Sequence, residues 1–382
     1  MDFDYVVVPA LILLIGVLVI WLSMRRILTL ARRYSRRWRR AVERIVLTLV
    51  ILFVAAIAGS ASYNSIALVW FRVHNPPPGD IYLVNGHEMH MVCTGSGSPT
   101  IVLDAGLGND TLIWGGVQPV LALTTRVCAY DRAGFGLSEA LPAPRDADHI
   151  AGELHELLTQ AKVTGPIVLM GHSIAGIYVR DFATRYPAEI AGIVFLDGSS
   201  PLQDENPAMK AMSATGPPQW VSDLLQRSAL IVGLPRLVGF CSRRIAGGFQ
   251  AHASQLQAED FCHVHIDAIV AEIDSFHRSG EETVHTGPYG ALPILIFSQD
   301  PAKSQPKQNP AQQLAAMESA WNQMQDDLKK LSTRSRRIIA RNSSHYVQID
   351  RADLIEKEVP LFIEQIRGTA PQPTNYGTTI TE

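Results

Sequence analysis

Twenty consecutive residues without a charge, Tyr5 to Met24, decide how this chain can begin. At ~1.5 Å per residue a helix of that length matches a ~30 Å hydrocarbon core. A second uncharged run follows from Ile45 to Phe71, strongest from Ile45 to Ala58. Core helices of soluble domains are rarely so long and so uniformly apolar, so both runs read as membrane spans. Between them, Arg25 to Arg44 holds nine Arg and one Glu. A short basic loop between spans stays in the cytoplasm, which places the N-terminus and everything after Phe71 outside. Asp2 and Asp4 ahead of the first span fit that orientation, and a secretory signal peptide would want a basic start instead. Cleavage near Ala58–Ala61 would release the domain without changing its side of the membrane.

The charge balance argues against a nucleic-acid partner. Nine Arg less Asp2, Asp4 and Glu43 give residues 1–44 a charge of +6, and the whole chain carries −3, so the remainder carries −9. The exported part is acidic and has no electrostatic reason to seek phosphate. Charged residues make up only 18% and apolar residues 47%, which excludes a disordered chain and leaves ample material for a core. Four Cys in 382 residues are too few for a disulfide-framework scaffold.

His74-Asn75-Pro76-Pro77-Pro78-Gly79 is a stiff break that separates a membrane anchor, residues 1–73, from a globular part, residues 74–368. Residues 369–382 are polar and patternless and are expected to be a flexible tail. Ile81–Val84, Asn85-Gly86 and His87–Cys93 form a hairpin signal, because Asn-Gly accepts the positive φ of a type I′ turn. Short continuous apolar runs follow at Thr100–Leu103, Thr125–Tyr130, Ile167–Met170, Ile190–Leu196, Pro293–Phe297 and Arg337–Ala340. Such runs suit strands buried on both faces of a parallel sheet. Helical stretches alternate with them. Asp148–Lys162 puts Ile150, Leu154, Leu157, Leu158 and Ala161 on one face, and Ile174–Tyr186 and Leu354–Ile366 also read as helices. This is the pattern of a three-layer α/β fold. From about Pro201 to Thr286 no strand is legible, and the stretch reads as a helical cap. Within it, Trp220 to Phe240 is dense in Leu, Ile and Val and is expected to line or cover an apolar acyl pocket near the membrane surface, or else to form the cap's own core.

The chemistry centres on Gly171-His172-Ser173-Ile174-Ala175-Gly176, which follows the strand Ile167–Met170 and opens a helix. A G-x-S-x-G turn in that context strains the serine backbone and exposes its hydroxyl at the strand end. Here the second small position is Ala175 rather than Gly. A serine hydroxyl needs a general base, and the base needs an orienting acid. His345 follows the last expected strand, on a loop at the correct end of the sheet. Two carboxylates end strands between Ser173 and His345. Asp300 is preferred, since Pro301 to Pro306 is an irregular stretch that would let its side chain turn toward the histidine loop. Asp197 is the alternative acid, with capping of the insertion's entrance as its competing role. Acyl transfer also needs N–H donors for an oxyanion. One would be Ile174, next to the serine. The other would be Leu107, in the glycine-rich loop Asp104-Ala105-Gly106-Leu107-Gly108.

With these residues in view, about Ile81 to Gly368 resembles the α/β-hydrolase superfamily. The matching pieces are Ala105-Gly106-Leu107-Gly108, Tyr130-Asp131-Arg132-Ala133-Gly134-Phe135-Gly136-Leu137-Ser138, the Gly-His-Ser-Ile-Ala elbow and Ser344-His345. The resemblance implies an eight-stranded, mostly parallel sheet, a cap after strand six (here about residues 201–286) and a Ser–His–acid triad. Together with the expected topology it gives a membrane-anchored serine hydrolase acting on carboxylic esters outside the cytoplasm, with a small ester or lipid-like substrate and no cofactor. An inactive binding module on the same fold, an aminopeptidase, a perhydrolase and a C–C hydrolase stand as alternatives. Epoxide hydrolases and haloalkane dehalogenases of this superfamily place Asp where Ser173 stands. The resemblance puts the strands of Cys93 and Cys128 side by side, and Cys241 and Cys262 share the cap, so an oxidising compartment would allow two disulfides. Cys262-His263-Val264-His265 with His252 lacks a zinc-ligand spacing, and no metal is expected.

Overall fold

The computed structural model describes residues 3–33, 36–76, 78–213, 218–242, 259, 262, 266–303 and 311–382. The chain divides into two compact units, one made of residues 1–77, 217–243 and 258–264, the other of residues 78–216, 244–257 and 265–382. The expected cap is thereby split between them. His252, His263 and His265 lie outside the described residues.

The first unit is built on two long helices, α1 (Val8–Arg33) and α2 (Arg37–His74). Both are long and apolar enough to cross a membrane. Most arginines of the expected basic loop belong to the ends of the two helices. The helices run antiparallel. Gly16 lets them approach, because a Cβ there would lie 3.3 Å from that of Ala58, and Arg26 pairs with Glu43. Two insertion helices, Gln219–Ile231 and Leu234–Leu237, belong to this unit. Their large apolar side chains Trp220, Leu224, Leu225, Leu234 and Leu237 are exposed, as are Val238 and Phe240 just beyond them, so they form no core of their own among the described residues.

The second unit carries a nine-stranded sheet: β1 (Asp80–Val84), β2 (His87–Thr94), β3 (Thr100–Asp104), β4 (Val127–Tyr130), β5 (Ile167–His172), β6 (Ile190–Leu196), β7 (Ile294–Ser298), β8 (Ser335–Ile339) and β9 (Thr379–Thr381). Their order is β1-β2-β4-β3-β5-β6-β7-β8-β9. β1–β2 and β2–β4 are antiparallel and all other pairs parallel. Asn85 (φ 50°) and Gly86 (φ 86°) make the two-residue turn that the sequence demands. Cys93 and Cys128 face each other in the β2–β4 register and are joined, as are Cys241 and Cys262.

The ninth strand is a correction. The tail beyond residue 368 is not patternless in space, because Thr379–Thr381 adds a parallel edge strand to β8. Arg351 and Lys357 hold Glu382 behind it. Its three residues, Thr-Ile-Thr, are too few to register as an apolar run.

Alternation along the central strands feeds two cores. Ile101 and Leu103 point to the face covered by Leu354, Ile355, Val359, Phe362 and Ile363 of the helix Ala352–Arg367. Val102 points to the other, covered by Leu154, Leu157 and Leu158 of the helix Ala147–Gln160. Each such side chain contributes ~1.5–3 kcal/mol on burial. Every residue of β3, β5 and β7 is buried, so the strand ends are held without slack.

Candidate active site

β5 ends at His172, and the chain turns directly into the helix Ala175–Arg185. Ser173 sits in that turn with φ +56°, a left-handed conformation that costs a non-glycine residue energy. The neighbours explain how it is held. Ser173 N–H donates to Leu196 O at 3.1 Å, and its carbonyl accepts from Ser199 N–H at 2.7 Å. A Cβ on Gly171 would come within 2.9 Å of Ala175 O, and one on Gly176 within 2.9 Å of Gly198 Cα. The turn therefore needs small residues at both places, while Ala175 is accommodated and fully buried.

His345 lies on the loop after β8. Its Nε2 is 2.8 Å from Ser173 Oγ. Its Nδ1 is 2.6 Å from a carboxylate oxygen, and that carboxylate is Asp197, not Asp300. Asp197 follows β6, the strand adjacent to β5, with φ +44°, and its N–H is tied to Phe297 O at 2.7 Å. Its side chain is completely buried. The oxygen turned away from His345 accepts from Gln299 N–H at 3.1 Å and from Trp321 Nε1–H at 3.0 Å. Trp321 belongs to the helix Ala311–Asp327, where nothing in the sequence marked it as a site residue.

Asp300 does not reach the imidazole. One of its oxygens accepts from Ala302 N–H at 2.9 Å and the other from Asn342 N–H at 2.8 Å, while its own N–H donates to Ser343 O. The irregular stretch after it binds the carboxylate as a turn cap instead of freeing it. Asp300 thus ties the β7 end to the loop that carries His345, and Asn342 there has φ +64°. The role first assigned to Asp300, facing His345, falls geometrically to Asp197.

His172 supports the other side of the histidine loop. Its Nε2 stands 3.0 Å from the His345 carbonyl. Burial, reinforced by the proximity of His345, holds its pKa well below the ordinary histidine value, so the ring is neutral and donates from Nε2.

The loop after β3 presses against the elbow. A Cβ on Gly106 would lie 2.7 Å from His172 Nδ1 and 3.2 Å from Ser173 Cβ, so only glycine allows this approach. Neither the Leu107 nor the Ile174 N–H donates to a backbone carbonyl outside regular secondary structure among the described residues. Arg132, fully buried, organises this loop. Its guanidinium donates to the carbonyls of Ala105 and Gly106, to Asp104 at 2.7 Å, and to both oxygens of Glu272 at 2.7 and 3.0 Å. Glu272 comes from the helix Ile266–Asp274, so the retained part of the insertion is locked to the loop by a buried ion pair. In the sequence Arg132 is one member of the Tyr130–Ser138 motif, and nothing there marks Glu272 as its partner.

Chemically, the arrangement is a hydroxyl, an imidazole and a carboxylate in one hydrogen-bonded line, with the Gly106 loop packed against the serine turn. No group of three or more potential metal ligands occurs among the described residues.

Comparison with known proteins agrees in kind. A family model described as "Alpha/beta hydrolase family" matches residues 101–358. An uncharacterised protein of Schizosaccharomyces pombe, C23C11.06c, is 44% identical over 84 residues, which is 22% of this chain and 16% of that protein. The chain spans only 15% and 39% of two further curated relatives. Among solved structures, a thermophilic esterase from Thermogutta terrifontis is 17% identical with a TM-score of 0.52, covering 76% of this chain and 99% of that one. The epoxide hydrolase VrEH1 from Vigna radiata is 15% identical with a TM-score of 0.57, covering 75% and 97%. At these identities the two structures speak for the fold alone.

Proposed function

Because the chain belongs to the alpha/beta hydrolase family, we propose that it is a membrane-anchored serine hydrolase that cleaves carboxylic esters on the outer side of the membrane. The single observation that carries the reading is the unbroken line from Ser173 Oγ through His345 to Asp197, at 2.8 and 2.6 Å.

Ser173 Oγ attacks the acyl carbon while His345 Nε2 takes its proton. Asp197 holds the imidazole with its proton on Nδ1, so that Nε2 is free to accept, and stabilises the imidazolium that forms. The oxyanion of the tetrahedral intermediate is received by the Leu107 and Ile174 N–H groups. Its collapse expels the alcohol, protonated by His345, and leaves an ester on Ser173. Water, deprotonated by His345, then releases the acid and restores the serine. Each step uses groups already in place, which is where such sites gain most of their rate. A serine elbow disfavours epoxide opening, which in this superfamily proceeds through an aspartate at that position.

The anchoring and orientation rest on α1 and α2, on the nine arginines from Arg25 to Arg44 and on the acidic remainder. Two disulfides suit an oxidising compartment. The test is a series of p-nitrophenyl esters of increasing chain length, assayed with the parent and with Ser173→Ala. Turnover abolished in the variant with its thermal unfolding unchanged supports the reading; near-parental turnover rejects it.

A further inference from the structure

The insertion helices of the membrane unit are built inside out for a protein surrounded by water. The helix Gln219–Ile231 has no buried residue. Trp220 is 68% exposed and Leu225 63%, and Leu224, Leu234, Leu237, Val238 and Phe240 are exposed by half or more. What faces α2 is polar. Asn64, itself only 1% exposed, donates from Nδ2 to Leu230 O at 3.0 Å, and its Oδ1 accepts from Arg236 Nε at 2.9 Å. Ser60 Oγ donates to Val232 O. Gly233, with φ +73°, approaches so closely that a Cβ on it would stand 2.6 Å from that of Asn64. Arg236 is neutralised by Glu259, and the Cys241–Cys262 disulfide closes the segment behind.

The height of this attachment along α2 can be counted. Arg44 is the last charge before the uncharged run, and Asn64 is the twentieth residue after it. Twenty helical residues rise ~30 Å, the thickness of the hydrocarbon core. Ser60 and Asn64 therefore fall at the far edge of that core, and the next charge, Arg72, lies beyond. We propose that Trp220–Phe240 lies in the outer leaflet of the same bilayer that α2 crosses, with its exposed apolar side chains among the upper acyl chains. The inference rests on the membrane reading given above. A contiguous exposed apolar surface is normally covered in a stable protein, and lipid is the cover that continuity with a spanning helix supplies. Trp220 fits the interfacial preference of tryptophan. Only Asp223, Arg227 and Arg236 carry charge between residues 220 and 240, so attachment depends on apolar insertion rather than on anionic headgroups.

The experiment uses the full chain in phosphatidylcholine vesicles. All four native cysteines are in disulfides, so single cysteines can be labelled selectively. An environment-sensitive nitrobenzoxadiazole probe is attached at Leu224→Cys and, separately, at Leu237→Cys, with the exposed Leu123→Cys as the reference. Resistance to alkaline carbonate extraction reports first whether the chain is membrane-integrated. In integrated protein, both probes should be quenched several-fold more strongly by lipids spin-labelled near the headgroup than the reference is, and be shielded from iodide. Iodide quenching at both positions in carbonate-resistant protein overturns the proposal and leaves the anchor standing. Shielding from both quenchers also overturns it, since protein would then be the cover. Complete extraction by carbonate overturns the anchor and the proposal together.

Discussion

Replacing Asp197 with Asn is the sharpest perturbation of the site, because the surroundings dictate which way the new amide must face. One Asp197 oxygen accepts from Gln299 N–H and Trp321 Nε1–H, both donors. The amide carbonyl must stay there, or two buried donors would meet an NH₂ group. The NH₂ is then left opposite His345 Nδ1, 2.6 Å away in the parent. An N–H donor at that place forces Nδ1 to become the acceptor and moves the ring proton to Nε2. His345 then donates to Ser173 Oγ instead of accepting from it, and the base is lost although the geometry survives. The loss in kcat expected for such tautomer inversion is ~10⁴-fold, or about 5.5 kcal/mol at ~1.36 kcal/mol per tenfold. Asp300→Asn differs in kind. It weakens one of the turn bonds to Ala302 and Asn342, at about 1 kcal/mol of stability, with activity reduced no more than about tenfold. Single-turnover acylation by a p-nitrophenyl ester, read beside thermal unfolding, separates the two. If Asp300→Asn proves the more damaging to acylation while Asp197→Asn stays near parental, the tautomer argument fails.

Two further outcomes follow from the buried groups near the elbow. Arg132→Ala should destabilise the fold by ~3–5 kcal/mol, since it leaves Glu272 and Asp104 buried without their partner; chemical denaturation measures it, and a change under about 1 kcal/mol would deny the pair its structural weight. His172 is held below its unfolded pKa of 6.5, so the folded state binds fewer protons there, and the stability it contributes is present above that pH and lost as pH falls. The melting-temperature gap between the parent and His172→Gln should therefore narrow from about pH 7.5 to about pH 5, and a gap that widens on acidification would reverse the sign of the argument.

Most of the sheet was legible in the chain because its strands are buried on both faces. A strand such as Ile167–Met170 must be apolar throughout, and the helices between strands show their buried stripe at helical spacing. The serine and the histidine were legible for a related reason, since each follows directly on such a strand. The acid was harder. Asp197 and Asp300 both end strands, both precede His345, and the sequence ranks them only by the loop that follows. That criterion misled. An irregular stretch offers a carboxylate its own backbone N–H groups, and Ala302 and Asn342 capture Asp300. What selects Asp197 is the adjacency of β6 to β5 together with a donor from Trp321, which lies 124 residues away in the sequence. Glu272 was hidden in the same way, as one acidic residue on an insertion helix whose partner Arg132 is 140 positions distant. The exposed residues of Trp220–Phe240 misled for the opposite reason. Apolar density announces burial, but not whether protein or lipid provides it.

In the proposed mechanism Ser173 is an activated nucleophile. Incubating the full chain with a fluorophosphonate and locating the adduct by peptide mass spectrometry reads that activation at the residue itself. One phosphonyl group is expected, on Ser173, formed rapidly in the parent and much more slowly in Asp197→Asn. No adduct, or one on another residue with Ser173 unmodified, would contradict it.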